Sequence, residues 1–296
     1  DEPAERPPHA KRPSSTRPDW RRIPIGYRGR PQKTGFQEGN MPENDSETRT
    51  AFRALIALLE EIDTRYLSPE WGLNDALDVA GATRAVMHLL QGGLFTHFED
   101  DASHPRFLPI VSPTRKFTGD NADAIYYDAP VDPRLSYRIR GNTGGAVYTS
   151  LTVEAGSGQG NFGTHTAGVL NDEGFDISDE GDFEITLGGK KKDRNWLELS
   201  EEASRVTSRH YFENTLPAAS DPNVMVKIEI TPIEPSAPPA PPDDASVAAG
   251  IRRVHQFLQS RTLDMPPPGR NKDQPPFVSI TPNDFPVPVK PGDFGL

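Results

Sequence analysis

Tyr137-Arg138-Ile139-Arg140-Gly141-Asn142-Thr143-Gly144-Gly145-Ala146-Val147-Tyr148-Thr149-Ser150-Leu151-Thr152-Val153 is the stretch whose period decides the fold. Tyr137 and Ile139 alternate with Ser136, Arg138 and Arg140, and Val147, Leu151 and Val153 alternate with Tyr148, Ser150 and Thr152. Apolar residues at a period of two turn one face of a strand to a core, and Asn142 to Gly145 supplies turn residues, so the pattern predicts a β-hairpin. Further along, Phe183, Ile185 and Leu187, then Val206 to Phe212, then Val224, Val226, Ile228 and Ile230 repeat that period between Gly, Pro, Asn or Asp. Five or six antiparallel strands without helices between them favour a sandwich or jelly roll over an α/β fold.

Upstream the period is 3.6. Phe52, Leu55, Ile56, Leu59, Ile62 and Tyr66 fall on one helical face behind Ser46, a residue suited to the N-cap. Pro69 and Gly72 are expected to end this helix; Asn74 is expected to cap a second, striped by Leu77, Ala80, Val86, Leu89 and Leu90 and stopped by Gly92-Gly93. Fifteen of the 31 prolines lie between 232 and 291, which places the end of the sheet region near Pro232. Val247, Ile251, Val254 and Leu258 mark one more amphipathic helix. The class is therefore α+β: a basic Pro-rich arm over 1–40, a helical hairpin over 41–98, a mainly antiparallel β-sandwich or jelly roll over 99–232, a Pro/Ala linker over 233–244, a helix over 245–264, and an extended Pro-rich tail over 265–296.

Charge separates the arm from the rest: residues 1–40 are net +4 and residues 41–296 net −15. The arm has too little apolar content to repay an ordering cost of about 1–2 kcal/mol per residue and is expected to be disordered. Gln37-Glu38-Gly39-Asn40 can be encoded as a purine-rich ribosome-binding tract, which makes Met41 a candidate start and the arm a candidate non-native segment. The tail stops in Gly292-Asp293-Phe294-Gly295-Leu296 without closing a strand, which reads as truncation. Apolar tail residues from Phe277 to Phe294 then lead us to expect self-association. With a net charge of −11 nucleic acid is not an expected partner. With no run of about 18 apolar residues and no signal-peptide pattern, neither is a membrane, and a cytoplasmic location is expected.

The absence of cysteine removes disulfides, thiolate nucleophiles and cysteine-zinc sites together. The seven histidines form no i, i+4 helical pair and no His-x-His, so no zinc motif is present, and no metal or other cofactor is expected. His97, Glu99, Asp100, Asp101 and His104 read as a solvated loop rather than a metal site. Gly156, Gly158, Gly160 and Gly163 lack the Gly-Lys-Ser/Thr of a phosphate loop and read as a turn between strands. The densest polar and aromatic run is Asp120 to Arg140, with Asn121, Asp123, Tyr126, Tyr127, Asp128, Asp132, Arg138 and Arg140. Forked Arg donors beside carboxylates and Tyr rings suit a polyhydroxylated or carboxylated ligand, and buried Asp–Arg pairs fixing a strand give the same residues, the structural reading being the favoured one.

Four ordered motifs carry a resemblance: Asn121-Ala122-Asp123-Ala124-Ile125-Tyr126-Tyr127, Tyr137-Arg138-Ile139-Arg140-Gly141, Asp182-Phe183-Glu184-Ile185 and Asn195-Trp196-Leu197. On these the chain resembles the bacterial domain-of-unknown-function family numbered twelve-fourteen, over roughly residues 45–296. The resemblance implies helices followed by a jelly-roll sandwich, with a second sheet repeat in longer relatives and no established reaction.

Three readings follow. The first is binding of a small polar or carboxylated ligand, carbohydrate-like or an organic acid, between helices and sheet, with Asn121, Asp123, Tyr126, Arg138 and Arg140 as contacts. The second is an enzyme of hydrolase or lyase type with Asp123 or His165 as its base. The third is a structural half-domain completed by a C-terminal repeat.

Overall fold

The structure, a computed structural model, describes residues 46–116, 119–265 and 267. The expectations placed on the arm, on Met41, and on truncation and self-association through the tail lie outside the described residues.

Helix α1 (Glu47–Glu61) starts at Ser46, whose hydroxyl accepts from the Arg49 amide, and closes through a π turn at Ile62–Tyr66. Helix α2 (Ala76–His97) is capped by Asp75, which accepts from the Leu77 and Asp78 amides, rather than by Asn74. Asn74 instead turns its amide to the Gly72 carbonyl. Gly92-Gly93 does not stop α2; the helix runs on to His97. The bare backbone has a packing reason, since a Cβ on Gly93 would lie 3.0 Å from Cδ1 of Phe257 on helix α3 (Asp244–Ser260). Helix α3 packs against both earlier helices, so Leu55, Leu58, Ile62, Val86, Leu89, Val254, Phe257 and Leu258 form one apolar core.

The strands are β1 (Leu108–Pro109), β2 (Ala124–Pro130), β3 (Tyr137–Asn142), β4 (Tyr148–Ala155), β5 (His165–Asn171), β6 (Asp182–Leu187), β7 (Trp196–Leu197), β8 (Ala203–Tyr211) and β9 (Ile228–Pro232). They form a five-stranded sheet, β1-β2-β8-β4-β5, and a four-stranded sheet, β7-β6-β3-β9, antiparallel except for β6 with β7. The α+β sandwich is as expected. Its inner faces enclose Tyr137, Ile139, Leu151, Val153, Phe175, Ile185, Leu187 and Val206. Each such side chain contributes roughly 1.5–3 kcal/mol of burial.

The hairpin expected over 137–153 does not form. β3 pairs with β6 and β9, while β4 pairs with β5 and β8 in the other sheet. Gly144 (φ 65°) and Gly145 (φ 86°) carry the chain across: Asn142 N still donates to Lys227 O at 2.8 Å, and Val147 N already donates to Tyr211 O at 2.8 Å. A period of two says which face of each strand is buried; it does not say which strand lies alongside. The Asn-Trp-Leu turn also has a structural cause. Asn195 adopts φ 56°, a conformation Asn tolerates better than most residues, and its side chain accepts from Asp176 N at 2.7 Å.

Candidate functional site

β8 is the central strand of the larger sheet, and its side chains alternate sharply. Val206 enters the sandwich core, whereas Arg205, Thr207, Arg209 and Tyr211 turn to the opposite face. Register brings partners onto that face: Asp128 and Tyr126 of β2 lie opposite Thr207 and Arg209, and Thr152 and Glu154 of β4 lie opposite Thr207 and Arg205. The end of α2, the last turn of α3 and the loop from Ser157 to Gly163 cover the face and leave a cavity of about 180 Å³. That is smaller than the roughly 300–1,000 Å³ of drug-sized ligand pockets, so it suits a compact guest.

Arg205 joins the layers. Its Nε donates to Asp128 Oδ2 at 2.6 Å, its Nη1 to Asp100 Oδ1 at 2.8 Å, and its Nη2 to the Thr96 carbonyl at 3.2 Å. Burial alone would lower its pKa, but Asp128 and Asp100 outweigh that and hold it above the ordinary arginine value. Burial raises the Asp100 carboxyl, with Arg205 opposing. His97, buried and facing Arg205, Arg261 and Arg253, is held well below the usual imidazole range and stays neutral. Arg253 fastens α3 to the end of α2 through the carbonyls of His97 (2.8 Å) and Phe98 (3.0 Å).

Glu154 and Asp128 share a single hydroxyl. Thr207 Oγ1 lies 2.7 Å from Glu154 Oε1 and 3.4 Å from Asp128 Oδ1, and one O–H cannot satisfy both. Burial first, and the Asp128 charge second, push the Glu154 carboxyl up to about 7. Arg209 bonds to Thr152 Oγ1 and stands 4.0 Å from Glu154, too far for a direct hydrogen bond.

Arg261 completes the wall. Its guanidinium carbon lies 4.3 Å from the centre of the Phe162 ring and 3.7 Å from that of Phe257. Its Nη1 donates to the Gly160 carbonyl at 2.8 Å, while its Nε is shielded from solvent and has no hydrogen-bond partner among the described residues. No carboxylate among those residues lies within ion-pair distance of it, and burial brings its pKa down to about 9. The Gly-rich segment is the expected turn between strands, and it also closes the cavity. Gly160 sits at φ +93°, where a Cβ would come 2.2 Å from the Arg253 carbonyl, so α3 can approach only a glycine.

Of the ligand contacts and bases expected from the sequence, Tyr126 alone lines this cavity; Asp120 and Asp128 of the same polar run line it too, as do His97 and Gly163. The Tyr126 ring meets Tyr211 edge-on at 6.3 Å, and burial together with the Tyr211 hydroxyl pushes its pKa up to about 12. Arg138 and Arg140 lie on the other sheet, half-exposed, both facing Glu184 (3.4 and 2.7 Å). Arg140 borders a shallow open groove with Asn142 and Met225. Asn121 and Asp123 are exposed and form a local turn in which Asn121 Oδ1 accepts from Asp123 N. His165 faces Glu202 at 3.5 Å, outside the cavity. Of the acidic cluster expected as a solvated loop, His97 closes α2 and is buried, the Asp100 side chain is 8% exposed in the Arg205 network, and Asp101 bonds to His104.

The residues missed in the sequence are Glu154, Arg205, Arg209 and Arg261. A signal existed in Arg205-x-Thr207-x-Arg209-x-Tyr211, one polar face of a strand, but such a face ordinarily meets water. Here the helical layer covers it.

No family model matches the chain, and no curated protein matches it. Among solved structures, the chain is similar to an uncharacterised protein from Burkholderia cenocepacia, with a TM-score of 0.61 and 26% identity over 73% of this chain and 57% of that one. The VPA0106 protein from Vibrio parahaemolyticus matches 38% of this chain and 31% of its own at 15% identity, with a TM-score of 0.29. This chain thus spans little more than half the length of the Burkholderia protein, whose fold it shares over the matched part.

Proposed function

We propose that this protein binds a small carboxylated ligand in the cavity between its helical layer and the larger sheet. The observation that carries the reading is Arg261: a guanidinium held between two aromatic rings, with a solvent-shielded Nε that lacks a partner and no carboxylate within ion-pair distance among the described residues. A buried guanidinium without a counter-ion is costly, and a ligand carboxylate in the cavity that Arg261 lines would supply one. Arg209, bonded to a neutral threonine and 4.0 Å from its nearest acid, supplies a second donor on the same cavity.

Thermal shift and calorimetry with short carboxylic acids, using butyrate and benzoate as probes, test the reading. Saturable binding that raises the melting temperature, and that Arg261→Lys weakens at least tenfold with the fold intact, is the expected result. Absence of binding by every carboxylate tried would remove it.

A second reading, acid–base catalysis on the same ligand, draws on Glu154, whose carboxyl titrates near neutrality inside the cavity. It moves the base from Asp123 or His165, which lie outside, to Glu154. Membership of the twelve-fourteen family remains a proposal; it draws support from the four motifs, which fall on or beside β2, β3, β6 and β7 of a sandwich.

A further inference from the structure

The cavity wall is divided in chemistry. Arg209 and Arg261 face the cavity from the sheet and from the end of α3, Glu154 and Asp128 meet at Thr207 on the sheet face, and Ile110, Val111, Phe162 and Phe257 supply apolar surface. Resting on the anion-binding reading above, we propose that the site selects monocarboxylates with a compact apolar body and that Glu154 takes up a proton as the ligand seats.

The geometry gives two reasons. Among the described residues Glu154 has one hydrogen-bond donor, Thr207, and its nearest cation is Arg209, the same guanidinium that faces the cavity. A carboxylate that engages Arg209 and Arg261 therefore competes with Glu154 for their positive charge and adds a negative charge to its surroundings. Both effects favour the neutral acid. A second ligand carboxylate would add its charge to those of Asp128, Glu154 and Asp120 on the wall of the same small cavity, the last already joined to Lys116 at 2.9 Å, and like charges so confined repel.

The groups around Glu154 offer no other sink for the charge. From β8 come Arg205, committed to Asp128 and Asp100, and Arg209; from β2 come Asp128 and Tyr126. From α3 come Arg261, already the ligand's partner, and Arg253, which is turned to the carbonyls of His97 and Phe98. The end of α2 contributes His97, buried against three arginines, and Asp100 just beyond it; on β5 the nearest ring, His165, faces Glu202. Glu154, with a carboxyl near 7, is balanced between its two forms at neutral pH.

The test is calorimetric titration of butyrate, benzoate and succinate into the protein at pH 5.5, 7 and 8, each in PIPES and in imidazole, because the difference in observed heat between buffers counts protons exchanged. The expected result is uptake of roughly half a proton per butyrate at pH 7, more at pH 8 and close to none at pH 5.5, with succinate at least tenfold weaker. In Glu154→Gln the uptake should vanish while butyrate still binds. Equal heats in the two buffers for wild type, uptake that persists in Glu154→Gln, or succinate binding as well as butyrate would each overturn this inference and leave the anion site standing. No binding of any of the three would overturn both.

Discussion

Replacing Arg205 by methionine should be among the most damaging single changes in the sheet face. The side chain is 3% exposed, and its loss strips the cation from Asp128 and Asp100, each 8% exposed, as well as a donor from the Thr96 carbonyl. Methionine nearly fills the volume, so the cost is chiefly that of carboxylates left buried without a partner. Breaking a buried ion pair from one side costs about 3–5 kcal/mol. For a cooperative unit of 150–250 residues each kcal/mol moves the melting temperature by about 2–4 °C, so the drop should be roughly 6–20 °C at pH 8. The effect has a signed pH dependence. Asp100 already titrates above the ordinary carboxylate value because it is buried, and without Arg205 only Arg253, 3.9 Å away, opposes that rise. A carboxyl whose folded pKa lies above its unfolded one penalises the fold while ionised, and the penalty fades as pH falls through the folded pKa. The deficit of Arg205→Met relative to wild type should therefore shrink between pH 8 and pH 5. Circular dichroism melts of both proteins across that range provide the assay. A deficit under about 3 °C, or one of equal size at both ends, would refute the reasoning.

Glu154→Gln keeps an oxygen for Thr207 and removes a carboxyl that titrates near 7 in the folded state against about 4.5 unfolded. Wild type should lose stability, on the order of 3 kcal/mol, as pH rises from 4.5 to 7, and the variant should not, so their melting temperatures should diverge over that window and run parallel above it. Gly160→Ala forces a left-handed residue and a Cβ into the Arg253 carbonyl, and urea unfolding should show a loss of about 1–3 kcal/mol together with weakened carboxylate binding. Arg140→Ala breaks an exposed contact with Glu184 on the other sheet, and neither the melting temperature nor binding of butyrate should change measurably.

Legibility in the sequence followed the physics of each signal. Ser46 as the cap of α1, the strand at Phe183–Leu187 and the late helix through Val254 could be read because local period and capping act within a few residues. The expected α1 stripe was only partly right, with Leu55 and Ile62 buried but Phe52 and Ile56 exposed. The partner of β4 could not be read, because Gly144-Gly145 serves equally to close a hairpin or to cross between sheets. Nor could the role of Gly93, whose missing side chain matters only because α3 arrives from more than 150 residues away. The site was misplaced for one reason. Arg138 and Arg140 stand on a strand with an obvious apolar face and look available, and they are, to water and to Glu184. Arg205 and Arg209 show the same alternation and lie under helices, where an arginine meets a cavity instead of solvent.

The central claim is that Arg261 waits for a carboxylate. Arginine Nε–Hε groups give separate signals in nitrogen–proton correlation spectra, and loss of one signal in Arg261→Lys assigns that of Arg261. On titration with butyrate, this resonance should move and its proton exchange should slow as the guanidinium gains a counter-ion, while the Arg138 and Arg140 signals stay in place. An Arg261 signal that does not shift at butyrate concentrations saturating by calorimetry would contradict the account.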